Sequence, residues 1–199
     1  MMPADQLIGL YQRHALAYDH DRDRSLFEKG WLDRLLALLP PGAAVLDLGC
    51  GMGEPIARYL IEQGCALTGV DAAPLSIELC QRRFPDHTWL VGDMRNVDLP
   101  RTYDAILAWN SLFHLTHADQ RQMMGVFGRY AAPDACLLFT SGTTHSEAIG
   151  SYQGEPLYHA SLDTAEYRAL LEAHGFSVVA HVVDDPTCCG HTIWLCQRR

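Results

Sequence analysis

The pattern of apolar and polar positions changes near residue 40. In the first segment, apolar residues recur at i, i+4, i+8 and i+11, which is one face of a helix; they are Leu7, Tyr11, Ala15 and Tyr18. This spacing predicts a helix over 5–18. A second helix is predicted over 26–39, where it ends at the Pro40-Pro41 pair. We therefore expect residues 1–40 to form cap helices on the rest of the chain.

After residue 40, short apolar runs alternate with helix-length segments. Most of the runs lack alternating polar positions, which is typical of strands covered on both faces. Strands are predicted at 44–48, 66–70, 88–91, 103–108, 135–140, 176–183 and 192–196, and helices at 54–63, 74–84, 118–131 and 163–174. This alternation predicts an α/β protein with a doubly wound, mostly parallel sheet, in a single domain over 1–199.

The last two predicted strands are joined differently from the others. Only "DDPTCCGH" separates 176–183 from 192–196. A parallel crossover needs about a dozen residues. We therefore expect these two strands to form an antiparallel hairpin at one edge of the sheet.

The first strand leads into a glycine-rich turn, "VLDLGCGMGEPIARYL". Its glycines have the spacing Gly49-x-Gly51-x-Gly53, whereas a dinucleotide fold favours G-x-G-x-x-G with a pyrophosphate at the helix N-terminus. Glu54 is predicted in the first helical turn, and Asp47 lies at the end of the strand. Two carboxylates there disfavour a phosphate and favour a cationic ligand.

Two more carboxylates follow the next two strands. Asp71 ends the second strand, where a carboxylate can accept hydrogen bonds from both ribose hydroxyls. Asp93 follows the third strand, where it can accept from an adenine amino group while the backbone N–H of Met94 faces the ring. With Asp47, these residues mark the carboxyl ends of three successive strands, which is where open sheets bind ligands.

Four motifs in register resemble those of the class I S-adenosylmethionine-dependent methyltransferases. They are "VLDLGCGMG", "GVDAAP", "GDM" and "YDAILAWNSLFHL", and the resemblance covers residues 43–199. It implies a Rossmann-like sheet of order 3-2-1-4-5-7-6 with strand 7 antiparallel, and S-adenosyl-L-methionine as cofactor. It also implies that glycines let the backbone approach the nucleoside and methionyl chain. The cofactor-binding residues that it implies are Asp47, Gly49, Cys50, Gly51, Asp71, Ala72, Asp93, Met94 and Trp109.

In such an enzyme the protein mainly holds the methyl group in line with a nucleophile. The backbone around Asn110 is expected beside the methyl group, and Asn110 is a substrate candidate. His114 is the candidate general base for a hydroxyl or protonated amine. The alternative is that His114 only packs or orients the loop.

The segment 141–162 is expected to be a long polar loop that overhangs the site. Tyr158 and His159 are its candidate substrate contacts, although an ordinary surface loop is the alternative. Tyr11 and Tyr18 either close over the cofactor or pack on the sheet. Arg24 either anchors a substrate carboxylate or belongs to a solvated charge run.

Composition restricts the possible partners. The chain has 15 basic and 24 acidic residues among 199, a net charge of −9, which disfavours nucleic acid. No basic, apolar leader and no run of about 18 apolar residues is found, so neither secretion nor a membrane span is expected. The seven cysteines are odd in number and irregularly spaced, which favours reduced thiols and a cytoplasmic location.

The cysteines also offer little for metal binding or covalent catalysis. Cys188 and Cys189, with His181 and His191, fit no structural zinc pattern, so no metal site is expected. Cys50 lies in the glycine turn, where its backbone matters more than its thiol.

The leading functional hypothesis is therefore methyl transfer to a small-molecule acceptor. Carboxylate, hydroxyl, amine and thiol acceptors all remain open, and the oligomeric state is not predicted. The alternatives are an NAD-dependent oxidoreductase on the same fold and a non-catalytic cofactor-binding domain.

Overall fold

Helices and strands alternate along most of the chain. The structure is a computed structural model that describes residues 4–199, with side chains from Leu7 onward. The helices are α1 (Ala4–Asp21), α2 (Lys29–Leu36), α3 (Ile56–Glu62), α4 (Pro74–Arg83), α5 (His117–Tyr130) and α6 (Thr164–Ala173). The strands are β1 (Ala44–Leu48), β2 (Ala66–Asp71), β3 (Thr88–Val91), β4 (Tyr103–Ala108), β5 (Ala131–Ser141), β6 (Ser146–Tyr152), β7 (Glu155–Ser161), β8 (Phe176–Asp185) and β9 (His191–Arg198).

Seven of the described strands form one sheet of order β3-β2-β1-β4-β5-β9-β8. The first five are parallel, and β9 lies antiparallel between β5 and β8. This arrangement confirms the predicted α/β Rossmann-like sheet and its antiparallel edge. Because β1 is central and covered on both faces, all five of its residues are buried.

Apolar side chains form a large cluster on each face of the sheet. One cluster contains Trp194 and Phe139, whose rings stack with centroids 5.8 Å apart. The other contains Trp31 and Leu107. These clusters fix the sheet, so that the carboxyl ends of β1 to β4 are held at one edge.

The segment 141–162 is not the loop expected from the sequence. Most of it forms an antiparallel hairpin, β6 and β7, separate from the main sheet. Gln153 and Gly154 make the turn with φ of 51° and 79°, which is the left-handed geometry of a two-residue hairpin turn. Gln120 of α5 anchors β7, because its side-chain amide donates to the carbonyl of Ala160 at 2.9 Å.

The helix α1 packs against α4 and against β7 of the hairpin. Its Arg13 and His14 both bind the carboxylate of Glu155 on the hairpin. Its Asp19 accepts from the guanidinium of Arg83 on α4 at 2.6 Å. The cap region was predicted over 1–40, of which residues 1–3 lie outside the described residues. Within residues 4–199, every helix is too short or too polar to cross a lipid bilayer.

Candidate active site

A cavity opens where β1, β2, β3 and β4 end, and α1 forms its roof. It encloses about 1170 Å³, counting the part open to solvent. Most of the predicted site residues line it, namely Asp47, Gly49, Cys50, Gly51, Asp71, Ala72, Asp93, Met94, Trp109, Asn110 and His114. The structure thus brings together at one sheet edge residues that are up to 67 positions apart, from Asp47 to His114.

The glycine turn forms the floor of this cavity. Gly49, Gly51 and Gly53 have φ of 79°, 53° and 78°, which residues with a Cβ rarely adopt. A Cβ at position 49 would also lie 2.4 Å from the Cβ of Ser111. The turn therefore needs glycine both for its backbone shape and for close approach.

Asp71 ties the glycine turn to the end of β2. Its two carboxylate oxygens accept from the backbone N–H groups of Gly51 and Ala73, both at 2.9 Å. Burial raises the pKa of Asp71, and these two hydrogen bonds oppose the shift. Each oxygen keeps a further lone pair, so the carboxylate can still accept from a diol.

Asp47 is a buried acid with a different environment. The residue is 5% exposed and lines the cavity. Burial, with a smaller contribution from the charge of Asp71, raises the pKa of Asp47 to about 7. A carboxylate held in this way favours a ligand cation beside it.

The third carboxylate, Asp93, is paired. Arg95 donates to it through Nε at 2.9 Å and also through its backbone N–H. Burial opposes ionisation, but the hydrogen bonds and charge of Arg95 outweigh it and hold the pKa of Asp93 below its ordinary value. Asp93 is thus ionised at neutral pH, with part of its accepting capacity already used.

Trp109 presents a buried polar group to the site. It is 5% exposed and lines the cavity, while its ring stacks on His191. Among the described residues, nothing accepts a hydrogen bond from its indole Nε1. Asn110, the next residue, has φ of 50°, and its backbone N–H donates to the hydroxyl of Thr140 at 2.9 Å.

His114 is held on both ring nitrogens. Its Nδ1 lies 3.0 Å from the carbonyl oxygen of Tyr158, and its Nε2 lies 2.9 Å from the hydroxyl of Tyr11. Burial lowers the pKa of His114 to about 4, with the Tyr158 carbonyl opposing the shift and His159 adding to it. The imidazole is therefore uncharged at neutral pH.

The two substrate candidates of the hairpin lie elsewhere than expected. The ring of Tyr158 packs with Leu7 and Ala160, and its hydroxyl donates to Glu147 at 2.9 Å, away from the cavity. The His159 ring packs 4.9 Å from that of His114, behind the cavity wall. Of Tyr158, only the carbonyl reaches a site residue, His114, and its role as a substrate contact stays a prediction.

Charged residues near the glycine turn also differ from expectation. Glu54 precedes α3 rather than lying in its first turn, and Arg58 neutralises it in an ion pair. The phosphate-repelling argument for Glu54 is therefore weakened. Arg24 donates to Asp19 outside the cavity, whereas Arg22 lines it.

Sequence reasoning missed Arg22 because it stands in a charged run. The signal is a helical spacing, because Tyr18 follows Tyr11 by seven residues and Arg22, one residue beyond the end of α1, follows Tyr18 by four. Both tyrosines line the cavity, so the lid alternative describes them better than packing on the sheet.

The cysteine and histidine residues near the last hairpin are spread apart. Cys188 is buried, Cys189 is exposed, and His191 stacks between Phe27 and Trp109. Within residues 4–199, no group of three or more potential ligands is placed to hold a metal ion.

The strand order and the position of the cavity define a Rossmann-like protein with a ligand site at the carboxyl edge of its sheet. Residues 45–134 match a family model described as a methyltransferase domain. The matched segment, a little under half of the chain, holds the glycine turn and the three cavity carboxylates, and it is similar to a methyltransferase domain.

Among similar proteins is the malonyl-acyl-carrier-protein O-methyltransferase of Serratia marcescens, 28% identical over 149 residues, or 71% of this chain and 57% of that protein. Another is the dTDP-3-amino-3,6-dideoxy-alpha-D-glucopyranose N,N-dimethyltransferase of Streptomyces fradiae, 31% identical over 47% of this chain and 36% of that protein. The chain thus spans little more than half of the first relative and less of the second.

A solved structure has a similar fold. It is the magnesium protoporphyrin IX methyltransferase of Synechocystis PCC 6803 with bound S-adenosylmethionine, which has a TM-score of 0.76. It is 16% identical and covers 100% of this chain and 98% of its own. This likeness concerns the fold.

Proposed function

We propose that this protein binds S-adenosylmethionine and transfers its methyl group to a small-molecule acceptor. The main supporting observation is that the glycine turn, Asp47, Asp71 and Asp93 all line the same cavity. When bound, this cofactor supplies an electrophilic methyl group on a positively charged sulfur.

The residues of the cavity fit that cofactor. The indole N–H of Trp109 is buried and has no acceptor among the described residues. Because buried donors are normally hydrogen-bonded, a bound ligand would supply the acceptor. The acid Asp47 suits a cationic group, and Arg22, which lines the same cavity, suits a carboxylate. A ligand with both charges on one chain satisfies the two side chains together.

Each carboxylate then has a role in holding the nucleoside. Asp71 has free lone pairs for the ribose hydroxyls, and Asp93 remains ionised to accept from the adenine amino group. Gly49, Cys50 and Gly51 bring backbone close to the ligand, and Met94 and Ala72 bound the adenine side. Asn110 and His114 lie on the wall where the acceptor would meet the methyl group.

The acceptor enters beneath α1, whose Leu7, Tyr11 and Tyr18 line the cavity. The methyltransferases similar to this chain include an O-methyltransferase and an N,N-dimethyltransferase by name. A small-molecule acceptor suits the enclosed cavity and the net charge of −9, which gives no attraction for nucleic acid.

The test is a calorimetric titration with S-adenosylmethionine, S-adenosylhomocysteine and NAD. We expect both sulfur nucleosides to bind and NAD to give no heat. Asp71→Ala should weaken binding of S-adenosylhomocysteine at least about tenfold, because hydrogen bonds to a charged group contribute about 1.5–3 kcal/mol each. Asp86→Ala, at an exposed acid, is the matched control. Binding of NAD alone would favour the oxidoreductase alternative and refute the proposal.

A further inference from the structure

The two contacts of His114 determine which of its nitrogens carries the proton. A carbonyl oxygen only accepts hydrogen bonds, so the nitrogen that faces the Tyr158 carbonyl, Nδ1, carries the hydrogen. Because the buried ring is neutral, Nε2 then has a free lone pair. The Tyr11 hydroxyl, 2.9 Å from Nε2, must be the donor of that hydrogen bond.

The direction of this bond fixes what Tyr11 can offer to a ligand. Its only hydroxyl hydrogen points at His114, so the oxygen presents lone pairs to any ligand in the cavity that Tyr11 lines. The ring of His114 is held from the side by His159 and Phe113, with centroids 4.9 and 4.8 Å away. The Tyr11 oxygen is therefore oriented as a hydrogen-bond acceptor.

The charges of the cavity disfavour a negatively charged acceptor. Arg22 is paired with the fully buried Glu28 and, under the proposed function, also faces the carboxylate of the cofactor, while Arg95 is paired with Asp93. Both cations are thus already engaged before an acceptor enters. Asp47 and Asp71 line the same space. A substrate carboxylate would add another negative charge and would have no hydrogen for Tyr11.

We propose that Tyr11, oriented by His114, receives the hydrogen of the methyl acceptor, and that this acceptor is an uncharged hydroxyl or amine rather than a carboxylate. The inference rests on the proposed methyl transfer and narrows its substrate class. It assigns to Tyr11 a direct contact with the reacting atoms, and to His114 the orientation of Tyr11 and, for a hydroxyl acceptor, the transient uptake of the proton.

The exchange of bonds balances. The acceptor's lone pair forms the bond to the methyl carbon, and the electron pair of the old carbon–sulfur bond stays on sulfur. With a hydroxyl acceptor, the proton of the strongly acidic methylated oxygen passes to the Tyr11 oxygen while the Tyr11 proton passes to Nε2 of His114, and the imidazolium, with its lowered pKa, gives the proton up to water. With an amine acceptor, the hydrogen that Tyr11 accepts stays on the nitrogen of the ammonium product.

The first test needs neither cofactor nor acceptor. Two-bond ¹H–¹⁵N spectra of ¹⁵N-histidine-labelled protein at neutral pH should show His114 protonated on Nδ1 alone, with His114→Gln assigning the signal. Tyr11→Phe should shift the Nε2 resonance, whereas Tyr59→Phe, which removes a hydroxyl bound to Asp33 on the surface, should not. A proton on Nε2, or no shift in Tyr11→Phe, would overturn the proposal.

The second test uses paired acceptors. Formation of S-adenosylhomocysteine is measured with alcohols and amines and with the carboxylic acids of the same carbon skeletons. We expect turnover only with the alcohols or amines, and a loss of at least about tenfold in kcat in Tyr11→Phe with S-adenosylhomocysteine affinity unchanged. Methylation of the acids, or full activity of Tyr11→Phe, refutes this inference; failure of S-adenosylhomocysteine to bind the wild type refutes the proposed function instead.

Discussion

The substitution Asp47→Asn tests whether a buried acid is kept for ligand binding at the expense of stability. Asp47 is 5% exposed, and burial is the main reason why its pKa is raised to about 7. The unfolded chain releases this proton near the ordinary pKa of about 3.9. Between these values the folded state holds a proton that the unfolded state has lost.

The sign and size of the effect follow from this difference. The folded state binds more protons, so the free energy of unfolding falls as pH rises from about 4 to about 7, and the loss is complete above pH 7. A shift of about three units corresponds to about 4 kcal/mol, which is an upper bound. Asparagine has nearly the same shape but does not ionise, so it should remove this pH dependence.

The assay is urea unfolding of the wild type and Asp47→Asn at several values from about pH 4 to about pH 8. The variant's stability relative to the wild type should increase across this range, by up to about 4 kcal/mol. Over the same range, S-adenosylhomocysteine should bind the variant less tightly than the wild type, and the gap should widen as Asp47 ionises. Parallel stability curves would refute the reasoning.

Two further predictions concern the floor and the roof of the cavity. Gly49→Ala should lower the free energy of unfolding by more than about 1 kcal/mol and abolish binding of S-adenosylhomocysteine, because its Cβ would overlap Ser111 at a φ of 79°. The control is Gly64→Ala, which is also at positive φ but has open space around it, so it should fold and still bind. Thermal unfolding and calorimetry measure the two effects. Glu155→Gln should increase hydrogen exchange in α1 and the hairpin while thermal stability stays nearly unchanged, since exposed ion pairs contribute little. Unchanged exchange in both elements would contradict the role given to Glu155.

The sheet was predictable because burial on both faces leaves a simple signature. The strand β1 is apolar except for Asp47, and the predicted bounds of β1, β3 and β4 match those of the structure. The β6–β7 hairpin was not predicted, because its first strand is exposed rather than buried. Six of the seven residues of β6 are exposed, so the strand needs no apolar alternation. Its signal was the turn at Gln153-Gly154, a dipeptide that accepts positive φ less commonly than Asn-Gly.

The residues of the cavity wall that lie at the ends of strands were predictable. Asp71 was predictable because it is the last residue of β2, and Asp93 because it follows β3 by two residues. Contacts between residues far apart in the sequence were not predictable, because they depend on where α1 and the β6–β7 hairpin pack. Tyr11 meets His114 across 103 positions, and Tyr158 turns its ring away while its carbonyl faces the site. Neither contact can be predicted from the spacing of residues along the sequence.

The helix α1 and the β6–β7 hairpin beside it differ physically from the main sheet. The apolar cluster that joins these two roof elements is small and contains Leu7, Tyr158 and Ala160, whereas the two faces of the sheet bury large clusters. Ion pairs at the surface supply much of the rest, and these contribute little each. Opening the roof therefore costs less free energy than unfolding the sheet, as entry of a ligand requires. Because α1 provides Tyr11 and β7 provides the Tyr158 carbonyl, His114 has both of its partners only when both roof elements are in place.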